Sequence, residues 1–341
     1  MTHPLPDLPG MLSARDVTAS AASIAALQLP DGMIPWFRGG HCDPWNHVET
    51  AMALDVAGLH AESRAAYGWL VATQAPDGWW PNYVRSDGTV EDPKLDTNVC
   101  AYVATGVWHH ALITRDLAFC ADLWPTVSAA LDFVLAEQRA DGAIVWARHV
   151  DERPWEYALL TGSSSIWHAL HCGARLARLV GAPRPDWEVA AAHLGEVIRT
   201  RPDAFEPKDR WAMDWYYPVL TGALRGEPAK ARLAEQWHRF VMEGLGVRCV
   251  SDEPWVTAAE TAECALAHVA IGDRDTAFDL LRWTRPHRQR DGSYATGLVH
   301  PERITFPGGE CTAYTAAAVI LAADAIAGAS PASSLFIPGE G

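Results

Sequence analysis

Apolar positions along this chain recur at intervals of three and four. In the last such stretch Tyr314, Ala317, Ala318, Leu321, Ala322 and Ala325 fall on one helical face. The same spacing predicts twelve helices, which come in pairs. The first members lie at about 14–28, 60–74, 115–139, 184–200, 228–243 and 273–286. The second lie at about 45–59, 95–113, 162–180, 213–224, 257–271 and 310–327. The second set is small and apolar on most faces (AMALDVAGL, TAECALAHVAIG, TAAAVILAADAIAG), which marks buried helices. The first set is more charged, as in AKARLAEQWHRF. Burying the second set inside the first predicts an all-α fold, an (α/α)6 barrel of six helical hairpins. It would be one domain over 1–341, with irregular termini at about 1–12 and 329–341. Strand-like alternation is confined to short pieces such as Ile144-Val145-Trp146.

Punctuation supports the pairing. Asp-Gly turns follow first-set helices at Asp31-Gly32, Asp77-Gly78, Asp141-Gly142 and Asp291-Gly292, with degenerate versions near Arg201-Pro202-Asp203 and Gly244-Leu245-Gly246. Links from a second-set helix to the next pair are short. Links within a pair are long and rich in Trp, Asp, Glu, His and Tyr. All six long links would therefore meet at one mouth, above the N-termini of the inner helices. Loops of that length in a compact fold are usually functional.

The chemistry at this mouth is carboxylate and aromatic. The first link offers Trp36, His41, Asp43, Trp45, Asn46 and Glu49, with Glu49 either on the pore or in a salt bridge. Asp43 precedes Pro44, so its plainer reading is a helix N-cap. The second link offers Trp80 and Asp96, again a possible cap. The third offers Tyr157 and the run Ser163–Ser165, which reads as capping. The fourth is dense: Trp211, Asp214, Trp215 and Tyr216. The fifth brings Trp255 and Glu260, and the sixth brings Glu310. Glu260 sits in an otherwise small, apolar helical segment. A carboxyl facing such an interior has its pKa raised, as a general acid needs, unless it is paired with an arginine.

Composition narrows the partners. Hydrophobic residues make up 49% of the 341 and charged residues 20%, so the chain is globular. The formal charge of −15 argues against nucleic acid and against a polybasic membrane contact. The N-terminus lacks secretory-signal features, and no apolar run reaches the roughly 18 residues of a membrane span. Seven scattered cysteines read as reduced thiols, so a cytoplasmic location is expected. No metal-ligand spacing or cofactor motif is present, and none is expected to be needed. Sixteen tryptophans supply flat amphipathic walls. Carboxylates in such a cleft favour glycoside hydrolysis of a neutral polysaccharide or oligosaccharide. A polyprenyl enzyme and a non-catalytic sugar- or lipid-binding barrel remain alternatives.

Two resemblances bear on the choice. Turns such as Gln74-Ala75-Pro76-Asp77-Gly78-Trp79 resemble the repeat of squalene-cyclase and prenyltransferase toroids, but the D-x-D-D and D-D-x-x-D motifs of that chemistry are absent. The segments GGHCDPWNHVE (39–49), DTNVCAYVATGVWHH (96–110), YALLTGSSSIWHAL (157–170), FEPKDRWAMDWYYPVL (205–220) and GVRCVSDEPWVTAAE (246–260) resemble an actinobacterial family of methylmannose-polysaccharide hydrolases. The likeness extends over nearly the whole chain. It implies an (α/α)6 barrel, endo-α-1,4-mannosidase activity on a methylated mannose chain, and an inverting mechanism on a carboxylate pair. Asp43 and Glu260 are the positions closest to that pair.

Overall fold

The computed structural model describes residues 3–150 and 153–337. Its outer helices are α1 (Ala14–Ala25), α3 (His60–Thr73), α5 (Leu117–Ala136), α7 (Pro185–Thr200), α9 (Gly226–Phe240) and α11 (Arg274–Trp283). Its inner helices are α2 (Pro44–Val56), α4 (Thr97–Thr114), α6 (Leu160–Leu179), α8 (Ala212–Leu220), α10 (Ala258–Ala270) and α12 (Ala313–Ala327). The burial that apolar composition predicts is observed. In α4 and α12 nearly every residue is buried, whereas α9 buries only Ala229, Leu233 and Phe240.

The inner helices pack in sequence order, α2 on α4, α4 on α6, and so on to α10 on α12; α12 then packs on α2. Each outer helix lies against an inner one. Asp-Gly turns join the outer layer. Gly32, at φ +96°, approaches so closely that an added Cβ would lie 2.0 Å from the Ala65 carbonyl oxygen on α3. Gly292 meets α1 in the same way, with a Cβ position 2.5 Å from the Ala19 carbonyl carbon. The glutamine before three of these turns is a clamp. Gln74 Nε2 donates to Gly78 O in its own turn and to Thr126 O on α5, both at 2.9 Å. Gln28 and Gln138 make the corresponding pairs. The repeated turn is thus a structural joint between neighbouring outer helices.

The expectation of a purely helical chain needs correction. The structure is 54% helix and 13% strand, and the strands lie in the long links. β1 (His41–Cys42), β2 (Tyr83–Arg85) and β3 (Val90–Asp92) form one antiparallel sheet. β4 (Leu95–Asp96) pairs with β5 (Ala147–Arg148). The last two links supply a five-stranded sheet ordered β10-β9-β8-β7-β6, from β6 (Val241–Met242), β7 (Gly246–Arg248), β8 (Trp255–Thr257), β9 (Ala295–Val299) and β10 (Ile304–Cys311). Isolated bridges join link three to four (Ala158 with Phe205) and four to five (Trp211 with Val250). Ala313 N donates to Trp36 O at 2.7 Å, tying the sixth link to the first. Every pair of adjacent long links is therefore stitched by backbone hydrogen bonds above the N-termini of the inner helices.

Candidate active site

The site starts from helix ends. Asp43 is the N-cap of α2, where Oδ1 accepts from Asn46 N at 3.0 Å. Its other oxygen accepts from Asn46 Nδ2 at 2.7 Å and from Trp36 Nε1 at 2.6 Å. The capping reading of Asp43 is thus borne out, and the cap leaves Oδ2 facing Trp36 and the Asn46 side chain. It is 2% exposed. Burial raises its pKa, and the Asn46 and Trp36 donors, which favour the ionised form, oppose that rise. Glu260, in the first turn of α10, has a different environment. It is partly buried, makes no ion pair among the described residues, and has its pKa raised mainly by burial.

Tyr314, in the first turn of α12, is near enough to both carboxyls for their charges to act on it. Burial and the charges of Glu260 and Asp43 push its phenol far above the ordinary range. Its ring packs edge-on to Trp36 at 5.0 Å. Trp36 also meets His41 at 4.5 Å and Tyr83 at 5.6 Å, and His41 stacks on Tyr83 at 4.1 Å. His41 is tethered through Nδ1 to Glu91 at 2.9 Å.

Deeper lies a floor of carboxyls and phenols. Glu49 on α2 and Glu263 on α10 are buried, at 5% and 8% exposure. Burial is the main cause that raises both pKa values, and for Glu49 the charges of Glu263, Asp43 and Glu260 add to it. Tyr216, fully buried on α8, donates its hydroxyl to Glu263. Tyr102 and Tyr217 flank the pair, and Trp45 packs on them at 5.5 and 5.6 Å. The salt-bridge reading of Glu49 is therefore set aside among the described residues.

The other sequence candidates are distributed unevenly. Asp96 caps α4 through Asn98 N and Val99 N and accepts from Trp146 Nε1; burial raises its pKa. Tyr157 joins Trp146 and Trp155 in an aromatic group at 5.7 and 6.0 Å. Asp214 is half-buried, with its pKa raised by burial, and accepts from Thr161 at 3.3 Å. Trp211 is 48% exposed, beside Arg210. Trp255 packs on Phe306 at 5.5 Å, and Glu310 lies partly buried on β10.

Trp80 and Trp215 are corrections. Trp80 is 1% exposed and donates to Leu70 O at 3.0 Å, so it is core rather than a wall for a ligand. Trp215 is 3% exposed, donates to Arg232 O at 2.9 Å and stacks on Phe240 at 5.3 Å. Ser163–Ser165 do not cap either. They lie inside α6, whose N-cap is Leu159, and Ser164 donates back to Leu160 O at 2.7 Å. Sequence reasoning omitted Glu263, Tyr83, Tyr102, Tyr217 and Tyr314 from the site. Glu263 carried a usable signal, because three residues on from Glu260 it shares that helix face. Among the described residues no group of three or more His, Cys, Asp or Glu is placed to hold a metal ion.

Solved structures with this fold include a wild-type glycosidase, at TM-score 0.73 and 17% identity, covering 92% of this chain and 96% of that one. A GH63 mannosylglycerate hydrolase from Thermus thermophilus superposes at TM-score 0.70 and 12% identity, covering 89% and 99%. A D-mannose isomerase does so at 0.67 and 13%, covering 93% and 99%, so this scaffold alone does not dictate hydrolysis. No family model matches the chain. The polyprenyl alternative finds no support among these relatives. The "MMP endo-(1,4)-3-O-methyl-alpha-D-mannosidase" of Mycolicibacterium hassiacum is 51% identical over 332 residues, 97% of this chain and 92% of that protein. The chain belongs to the family of that mannosidase and is a glycoside hydrolase.

Proposed function

We propose that the chain is an inverting endo-mannosidase that cleaves α-(1,4) bonds within a 3-O-methylated mannose polysaccharide. The 51% identity over 97% of the chain carries this reading. The closed circuit of inner helices supports a single (α/α)6 barrel with the stitched links as its active mouth. Asp43 is the general base. Its three hydrogen-bond donors favour the carboxylate form against the burial that raises its pKa, as a group that takes a proton from the attacking water needs. Glu260 is the general acid. Burial without a cationic partner raises its pKa, which favours the acid form that gives a proton to the leaving oxygen. An inverting pair needs room for water between its carboxyls, roughly 6.5–9.5 Å. Trp36, Tyr83 and Trp45 offer faces to sugar rings and their O-methyl groups.

The test is direct. The protein is incubated with α-(1,4)-linked 3-O-methylmannose oligosaccharides and products are read by mass spectrometry, with the anomeric configuration of the first product read by NMR. Internal cleavage with inversion is expected, and a polyprenyl diphosphate should stay intact. Asp43→Asn and Glu260→Gln should each lower kcat by about 100-fold or more, the scale of general acid–base catalysis. Near-normal turnover by both variants would remove the assignment.

A further inference from the structure

At the end of the inner helices away from the mouth, one sector, between α6 and α8, is cationic. The last turns of α6 carry Arg175 and Arg178, and the short link from α8 to α9 carries Thr221 and Arg225. These segments and residues 335–337 enclose a cavity of about 250 Å3. Trp167, His171, Arg175, Thr221, Arg225 and Phe336 are among its lining. The volume lies below the roughly 300–1,000 Å3 of sites for drug-sized ligands, so an oligosaccharide is too large and a small metabolite is the right scale.

Arg178 pairs with Glu188, but among the described residues the two arginines that line the cavity have no such partner. Among the described residues neither Arg175 nor Arg225 makes an ion pair, although the chain carries a formal charge of −15. Arg225 donates only to Gly222 O, at 2.6 Å, and its guanidinium lies 5.5 Å from the centre of the Trp167 ring. Arg199, nearby on α7, has a single exposed partner, Glu196, at 3.4 Å. Arginines near a helix C-terminus are often there to complement its dipole. That account suits Arg178, the basic residue in the last turn of α6, better than Arg175 one turn earlier. The unneutralised field is felt locally. Burial, Arg175, Arg225 and Arg178 hold the His171 pKa down at about 4 against the opposing charge of Glu188. Arg199 and Arg175 lower that of Arg225, after burial.

We propose that this cavity binds a small organic phosphate monoester, its dianion held by Arg175 and Arg225, its organic part against Trp167 and Phe336. Two guanidiniums lining one cavity supply more positive charge and more donors than a single carboxylate can use, and a phosphate dianion with three acceptor oxygens can use both. Trp167, 8% exposed, and Phe336, stacked on His168 at 4.9 Å, give a fixed apolar wall. The site is separate from the hydrolytic mouth and does not depend on the assignment made there.

The full-length protein is titrated at fixed ionic strength with inorganic phosphate, glucose 6-phosphate and acetate, while the His171 ring is followed by NMR and binding by calorimetry. Saturable binding is expected, at least tenfold tighter for glucose 6-phosphate than for inorganic phosphate. The His171 pKa should rise by about one unit or more in the complex, because the dianion neutralises its neighbours. Arg175→Gln and Arg225→Gln should each weaken binding at least tenfold while leaving glycosidase activity intact. Should either variant fail to fold, the His171 titration of the unaltered protein still decides. No saturable shift at His171, acetate binding as tight as phosphate, or unchanged affinity in both folded variants would each overturn the proposal.

Discussion

Trp36 shows how one side chain sets the chemistry of another. Its indole N–H lies 2.6 Å from Asp43 Oδ2, while its ring meets His41, Tyr83 and Tyr314. A hydrogen bond to a charged group contributes about 1.5–3 kcal/mol, and 1.36 kcal/mol corresponds to one pKa unit. Trp36→Phe keeps an aromatic ring but removes the donor. The acidic limb of the kcat/KM–pH profile should therefore move up by about one unit; an unmoved limb would mean that Asp43 is not the base. Glu263 gives a second residue-scale prediction. Burial raises its pKa from the ordinary glutamate range to about 8. The folded state then binds more protons than the unfolded state between those values, so this group makes stability fall as pH rises from about 4.5 to 8. Glu263→Gln should flatten that fall in urea titrations at pH 5 and pH 8, with the larger stabilisation at pH 8. Asp43 and Glu260 were legible because a carboxylate at a loop-to-helix junction or in an apolar helix is conspicuous. Tyr102 and Tyr217 were not, because a buried tyrosine reads as core until its neighbours are known.

At the scale of elements, the helices were legible and the strands were not. Period-three-and-four spacing located all twelve α-helices among the described residues to within a few positions, even the nine-residue α8. The strands are two to eight residues long, and many pair with a strand from a different link. A two-residue strand carries no alternation, and its partner lies far away in sequence. The Q-x-x-D-G turns were legible as turns, but their glutamines' second partner was not. Gln74→Ala removes two hydrogen bonds, one within its turn and one to α5. At about 0.5–1.5 kcal/mol each, the loss should be about 1–3 kcal/mol. Denaturant unfolding should report that loss while KM stays unchanged, since the clamp serves the outer layer; a raised KM with normal stability would contradict it.

The circuit of inner helices closes where α12 packs on α2, at a seam between the first and last helix pairs. The turn after α11 meets α1 at Gly292 and Ala19, Arg288 pairs with Asp16 at 3.0 Å, and α12 packs on both α1 and α2. In an open array of repeats, a terminal joint has a neighbour on one side only, and disrupting it should leave the rest standing. In a closed ring no joint is terminal. Gly32 and Gly292 provide the comparison, because an added Cβ collides with backbone of the next outer helix at both, at 2.0 and 2.5 Å. Gly32→Ala breaks an internal joint, and Gly292→Ala breaks the seam. Forced overpacking of this kind costs about 1–3 kcal/mol. If the ring is one cooperative unit, both variants should lower Tm by a similar amount, within about twofold, through a single calorimetric transition. A silent Gly292→Ala, or a second transition in that variant alone, would show that the seam carries little of the stability. Closure matters for function because the two proposed catalytic carboxylates lie on α2 and α10, either side of α12. Opening the seam would move the base relative to the acid, so Gly292→Ala should also lower kcat more than Gln74→Ala, whose joint lies between α3 and α5.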